Sequence, residues 1–181
     1  SMKGNKISKR YALALFSLAK NDAELEKIKM DVNLIEEICK NRDFRAMLGS
    51  PVIKPVIKRA IFKEIFEGGV DSQTILYLNM LLENHREGLL VDICWSFTEL
   101  YNKHKHIVNV FVTSAVKLSD AERNKITQLV KDATKCDIIL TETINEALIG
   151  GFVLRYEDTQ IDNSVSSQLL KVKQQLTQRI Q

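Results

Sequence analysis

The chain contains 181 residues with a mass of 20.7 kDa, and 45% of them are apolar, which is enough for one large domain or two small ones. Its longest unbroken apolar run, Tyr11 to Phe16, is far shorter than the roughly 20 residues that span a bilayer, so no membrane-spanning helix is predicted. The formal net charge is +3, and the excess lies in residues 1–106, which hold 17 basic and 14 acidic groups. The three cysteines are dozens of residues apart, which excludes a disulfide framework and a paired-cysteine metal site.

Few helix breakers interrupt the first hundred residues, because the two prolines, Pro51 and Pro55, lie close together. The spacing of the apolar residues therefore predicts six helices. They run from Asn5 to Lys20, from an N-cap at Asp22 to about Lys40, from Asp43 to Leu48, from Pro55 to the Gly68-Gly69 pair, from Asp71 to His85, and from beyond Gly88 to about residue 105.

Two of these helices show one clear apolar stripe at helical spacing. The second helix has its stripe at Leu25, Ile28, Val32, Ile35 and Cys39. The fourth has its apolar face at Ile57, Ile61, Ile65 and Phe66. The basic residues of the fourth helix are expected on a solvated face, at Lys54, Lys58, Arg59 and Lys63.

The pattern changes at Ile107, where a run of β-branched residues predicts a strand up to Val112. Ser119 and Glu122 form a capping box before a helix, whose inner face is predicted at Ile126, Leu129, Val130 and Ala133. Further strands are predicted at Ile138 to Leu140, at Phe152 to Tyr156 and around Ile161, and a last helix near Ser164 with an apolar stripe at Val165, Leu169, Val172, Leu176 and Ile180. The fold class is therefore mainly α, with a six-helix bundle over residues 1–106 and a small α/β domain over residues 107–181.

The residues suggest no catalytic chemistry. There is no nucleophile-elbow pattern, and the three histidines do not form a persuasive triad with a serine or cysteine. The Gly150-Gly151 pair lacks the surroundings of a phosphate-binding loop and precedes a strand, so close backbone approach or a bulge is the simpler interpretation. We predict no catalytic residue, no cofactor and no metal site.

The first and fifth helices are apolar on more than one side. In the first helix, Tyr11, Ala14 and Leu18 share a face, while other apolar residues cover much of the remainder. In the fifth helix, Leu76 and Met80 lie away from the side that holds its other leucines. Such helices are either central in a bundle or border a groove that receives another helix, and the sequence leaves both alternatives open.

Two motifs at opposite ends of the chain resemble a known family. Residues 10–16, Arg-Tyr-Ala-Leu-Ala-Leu-Phe, resemble the opening helix of the delta subunit of F-type ATP synthases, called oligomycin-sensitivity-conferring protein in mitochondria. Residues 150–155, Gly-Gly-Phe-Val-Leu-Arg, followed by Ile-Asp-Asn-Ser-Val at 161–165, resemble the C-terminal signature of that family. The length and the helix order between the motifs also agree, so the resemblance covers essentially the whole chain.

The resemblance implies a non-catalytic subunit at the top of the peripheral stalk, which ties the catalytic head to the membrane-anchored stator. It also implies that the N-terminal helix of an α subunit binds between the first and fifth helices, and that the C-terminal domain meets a b-type stalk subunit. Tyr11 and Ala14 match the first-helix motif of the family, whereas Leu18, Leu76 and Met80 are added as partner-binding residues by helical phase. The expected location is the cytoplasmic face of a bacterial membrane, with membrane contact only through the complex.

The alternative hypothesis is a small helical nucleic-acid-binding regulator. It rests on the positive charge of the N-terminal part and on the basic face near Lys58. A steep loss of affinity with salt would favour it, because neutralised phosphates release counterions. The stator hypothesis predicts no nucleic-acid partner.

Overall fold

The computed structural model describes residues 5–157 and 159–164. This part of the chain is mainly helical, with seven α-helices and a four-stranded sheet. The chain divides into two compact units, Ser1–Tyr101 and Asn102–Gln181, so the division falls five residues before the end of the predicted bundle at residue 106. The predicted last helix, from Val165 onward, lies outside the described residues.

Six α-helices precede the first strand. Their bounds are α1 (Lys6–Ser17), α2 (Asp22–Cys39), α3 (Arg42–Gly49), α4 (Pro55–Phe66), α5 (Ser72–Glu83) and α6 (Leu90–His104). A short 3-10 helix, Glu87–Leu89, connects α5 to α6. Side chains from all six α-helices contribute to one apolar core.

The predicted stripe of α2 is confirmed, because all five of its apolar residues are buried in this core. The N-cap of α2 is Asn21 rather than the predicted Asp22, since the Asn21 side chain accepts a hydrogen bond from the Glu24 amide. Asp31 of α2 is buried and accepts hydrogen bonds from the Asp71 amide at 3.0 Å and the Thr74 hydroxyl at 2.5 Å. This carboxylate therefore fixes the start of α5 against α2.

The predicted apolar face of α4 is wrong in part. Phe66 is buried and Ile61 packs against the core as expected, but the other two isoleucines do not. The buried residues of α4 are Lys58, Phe62 and Phe66, while Ile57 is 52% and Ile65 is 40% exposed. The aromatic rings of Phe62 and Phe66 pack against each other at 5.5 Å and outweigh the isoleucines in filling the core. Lys58 can share their face because it is paired inside the protein.

The second unit contains a mixed sheet with one crossover helix. Its elements are β1 (Ile107–Ser114), α7 (Asp120–Thr134), β2 (Asp137–Ile144), β3 (Phe152–Tyr156) and β4 (Thr159–Asp162). The strand order is β2-β1-β3-β4, with β1 and β2 parallel and the other two pairs antiparallel. The helix α7 joins the two parallel strands, as a parallel pair requires a crossover connection.

The core of this unit lies between one face of the sheet and α7. Val110 and Leu154 are fully buried there, together with Ile126 and Val130 from α7. The predicted inner face of α7 is wrong in part, because Leu129 is 57% exposed and Ala133 is also exposed. The inner face is narrower than predicted, since α7 buries a single line of side chains four residues apart.

Two local predictions in this unit are confirmed. Ser119 and Glu122 form the capping box, with both reciprocal hydrogen bonds present. Gly151 has φ +74°, and a Cβ atom placed on it would lie 2.2 Å from the Asn163 carbonyl oxygen. The glycine therefore allows the close approach of two backbone segments at the start of β3.

Candidate docking surface

The helix α1 buries one face and leaves the neighbouring flank open. Asn5 caps the helix, its side chain accepting from the Ser8 amide at 2.8 Å. Ser8, Ala12 and Leu15 form the buried face. Tyr11, Ala14 and Leu18 lie along one side of this buried face at helical spacing. Tyr11 is half-buried, and the other two side chains are exposed.

The helix α5 shows the same arrangement. Its core side chains include Thr74, Tyr77 and Leu78, which hold the helix against the other helices of the unit. Leu76 and Met80 are four residues apart and therefore lie along one line of the helix, beside Tyr77. Leu76 is exposed on this line, whereas Met80 is half-buried and packs against the core.

A hydrogen bond brings the two helices together. The Tyr77 hydroxyl of α5 donates to the Tyr11 carbonyl oxygen of α1 at 2.7 Å. Burial raises the pKa of Tyr77, so the phenol stays protonated and remains a donor. The bond holds α5 next to α1 at Tyr77 and Tyr11.

The five predicted partner-binding residues thus lie on, or at the end of, two helices that this hydrogen bond joins. Ala14 is exposed, Leu18 is 38% exposed and Leu76 is 69% exposed. Tyr11 and Met80 are half-buried and pack against the core. We call these five residues the α1–α5 surface.

One further residue belongs beside this surface and was missed in the sequence. Ile7 is 36% exposed and lies four residues before Tyr11 and seven before Ala14. This spacing places it on the same flank of α1. The sequence signal for it is the apolar character of Ile7 itself, two helical turns before Ala14 and three residues before the family motif at residues 10–16.

The α1–α5 surface offers apolar contact area and carries no titratable side chain other than the Tyr11 phenol. Within residues 5–157 and 159–164, no group of three or more His, Cys, Asp or Glu side chains could hold a metal ion. In the same part of the chain, no helix is both long and apolar enough to cross a membrane. The arrangement is suited to binding the apolar face of another helix.

The basic face of α4 is weaker than the sequence indicated. Lys58 is 3% exposed, and its ammonium group donates to Glu87 at 2.7 Å and to the Leu48 carbonyl oxygen at 3.0 Å. Arg59 pairs with Glu83 at 3.3 Å. The main support for the nucleic-acid hypothesis is therefore reduced, because one of its cations is buried and another is paired.

Comparison with known proteins gives the family. Residues 7–176 match the family model described as the ATP synthase delta (OSCP) subunit, so the chain belongs to that family. It is 35% identical over 170 residues to the ATP synthase subunit delta of Chlorobium phaeobacteroides, covering 93% of this chain and 94% of that one. It is also 35% identical over 179 residues to the chloroplastic ATP synthase delta chain of Chlamydomonas reinhardtii, covering 97% and 82% respectively.

A solved structure has a similar fold. A chain of the Toxoplasma gondii mitochondrial ATP synthase hexamer, determined by cryo-electron microscopy, matches with a TM-score of 0.75. The match covers 96% of this chain and 98% of that chain at 24% sequence identity. The family resemblance drawn from the two terminal motifs is confirmed, and the family membership favours the ATP synthase hypothesis over the nucleic-acid one.

Proposed function

We propose that this chain is a non-catalytic peripheral-stalk subunit that links the catalytic head of an F-type ATP synthase to its stator. In this proposal, the α1–α5 surface binds the N-terminal helix of an α subunit. The observation that supports it most directly is the exposure of Leu18 and Leu76 on helices that the Tyr77–Tyr11 hydrogen bond holds together. Exposed apolar side chains on adjacent helix flanks are what an amphipathic helix requires of its binding partner.

The second unit is proposed to bind a b-type stalk subunit. The two units have separate apolar cores, so each can present its own binding surface. Two contacts of moderate affinity on one chain produce a durable link, because the second binding event becomes intramolecular. The proposed location is the cytoplasmic face of a bacterial membrane, with membrane contact only through the other subunits.

The test uses a charged substitution on the exposed flank of α1. Ala14 is exposed, so Ala14→Asp is expected to leave the free protein folded, with near-normal thermal unfolding. In the bound complex the new carboxylate is desolvated against an apolar helix, which costs on the order of a few kcal/mol. The affinity for a peptide of the α-subunit N-terminus should therefore fall at least about tenfold, or about 1.4 kcal/mol.

Leu13→Asp provides the matched control. Leu13 is 53% exposed on the same helix. It precedes Ala14 by one residue, which turns its side chain about 100° around the helix, away from α5. We expect its peptide affinity to stay close to that of the parent chain. Equal weakening by both substitutions would show that the peptide does not bind at the α1–α5 surface, and unfolding of Ala14→Asp would show that this flank is part of the core.

A truncation separates the two proposed partners. A chain ending at His106 retains α1 to α6 and should still bind the α-subunit peptide, but not the stalk subunit. Binding can be measured by calorimetry with each partner in turn. If the truncated chain binds the stalk subunit and not the peptide, the assignment of partners to the two units is reversed.

A further inference from the structure

A cavity of about 390 Å³ lies between α2, α3 and α6, away from the residues of the α1–α5 surface. Its apolar walls are formed by Cys39 of α2 and by Val91, Cys94 and Trp95 of α6. Trp95 and Val91 are each 39% exposed, so they form the open side, while the two cysteines are buried. The volume falls in the range of about 300–1,000 Å³ that is typical of small-molecule sites.

The two thiols act as neutral, apolar wall groups. Burial raises the pKa of Cys39 to about 11 and raises the pKa of Cys94 well above its ordinary value. Both thiols are therefore protonated at neutral pH and are poor nucleophiles. The cavity is suited to holding an apolar group rather than to reacting with one.

Three charged side chains surround this apolar space: Glu36, Lys40 and Arg45. The charge of Glu36 is opposed by that of Lys29: burial lowers the pKa of Lys29, and the nearby Glu36 carboxylate offsets part of that lowering. Lys40 is paired with Glu37 at 2.6 Å. Arg45 has no ion pair with any of the described residues, and its charge reaches the cavity, where it offsets part of the rise in pKa that burial causes at the Cys39 thiol.

We propose that this cavity binds a small carboxylic acid with an apolar chain, such as a medium-chain fatty acid. The carboxylate pairs with the Arg45 guanidinium, which offers several N–H donors in a planar arrangement that matches a carboxylate. The apolar chain lies against Trp95 and Val91. The uncompensated cation at the edge of an apolar cavity is the feature that selects an anion over a neutral or cationic ligand of the same size.

The chain provides its own probe for this site, because Trp95 is its only tryptophan. The full chain is titrated with octanoate while Trp95 fluorescence is recorded, and calorimetry gives the stoichiometry. Octan-1-ol and octylamine serve as neutral and cationic ligands of matched length. We expect saturable binding of one octanoate per chain, at least tenfold tighter than that of either control ligand.

Two arginine variants of α3 test the role of the charge. Arg45→Gln is expected to weaken octanoate binding at least tenfold, which corresponds to about 1.4 kcal/mol. Arg42→Gln removes an exposed arginine of the same helix that does not line the cavity, and it should change the affinity less than twofold. Circular dichroism of both variants checks that the helices are intact, as expected for exposed positions.

Several results would overturn the proposal. Octan-1-ol binding as tightly as octanoate would show that Arg45 does not select the ligand. Binding of many octanoate molecules per chain would indicate general adsorption to apolar surfaces, and equal weakening in both arginine variants would indicate a site elsewhere. The absence of saturable binding up to about 1 mM, a free energy of about −4.1 kcal/mol, would show that the cavity holds no such ligand.

Discussion

The buried pair of Lys58 and Glu87 gives a sharp test of how the helical unit is held together. Their side chains are only 4% and 9% exposed, and the Lys58 ammonium lies 2.7 Å from Glu87 Oε1. The same ammonium donates to the carbonyl oxygen of Leu48 at 3.0 Å. Lys58 therefore connects α4 to the end of α3 and to the 3-10 helix that follows α5.

We expect Lys58→Met to be severely destabilising. Methionine retains most of the apolar stem but removes the ammonium group, which leaves the Glu87 carboxylate buried without its counter-charge. Its second oxygen, Oε2, is already buried without a hydrogen-bond partner among the described residues. Removing one partner of a buried ion pair costs about 3–5 kcal/mol, which is a large share of the about 5–15 kcal/mol that stabilises an ordinary domain.

The double variant Lys58→Met/Glu87→Leu separates the cost of the stranded charge from the loss of packing. Replacing both charges by apolar groups of similar size is often close to neutral. We therefore expect the double variant to recover at least half of the stability that Lys58→Met loses. Lys54→Met removes an exposed lysine just before α4 and serves as the control, with an expected change within about 0.5 kcal/mol.

Urea unfolding followed by Trp95 fluorescence measures these differences in the helical unit alone, because the only tryptophan lies in α6. A loss of less than about 1 kcal/mol for Lys58→Met would refute the reasoning, since a solvated ion pair is worth no more than that. A double variant as unstable as Lys58→Met would also refute it. In that case, the cost would arise from lost packing rather than from the unpaired carboxylate.

Three further changes test local features of the fold. Tyr77→Phe removes the hydroxyl that bonds to α1 and should lower the free energy of unfolding by about 0.5–1.5 kcal/mol in urea; no change would show that this bond does not stabilise the helix pair. Gly151→Ala should lower the melting temperature, because it combines φ +74° with a Cβ 2.2 Å from the Asn163 carbonyl oxygen, and a fully stable variant would contradict this close approach. The Leu118 amide, which donates to Glu142 at 2.7 Å, lowers the pKa of Glu142, so stability that is present above about pH 4.3 should be lost as the pH falls below it. Melting temperatures measured across this pH range should depend less on pH in Glu142→Gln, and identical slopes would contradict the assignment.

The order of the elements was predictable from the sequence because local periodicity determines it. The stripe of α2, the β-branched run of β1 and the alternation in β3 each have the period of their own element. All three elements are present, and β1 runs two residues beyond its predicted end at Val112. The capping box at Ser119 was also predictable, since its two hydrogen bonds join residues only three positions apart. Signals of this kind require no knowledge of distant contacts.

The orientation of α4 was not predictable by the same reasoning. A lysine among isoleucines is usually solvated, and the partner that allows Lys58 to be buried lies 29 residues later in the chain. The error therefore arose from a tertiary contact that leaves no local pattern. The exposure of Leu129 has a similar origin. The sequence of α7 does not reveal how wide a face of the sheet the helix covers, so it does not reveal how many of its apolar side chains are buried.

The α1–α5 surface was predictable from the sequence only in part. Periodicity identified Ala14, Leu18 and Leu76 as apolar residues outside a simple stripe, but it could not distinguish a central helix from a groove. In the structure, the core fully buries Ser8, Ala12 and Leu15 of α1 and partly buries Tyr11, while Ala14 remains exposed. The decisive contact is the bond from α5 to the α1 backbone, which a sequence pattern cannot reveal because a carbonyl oxygen belongs to every residue. Since this bond joins the two helices without using the exposed side chains, we propose that those side chains bind a partner, and we expect a substitution at Ala14 to alter that binding with little effect on the fold.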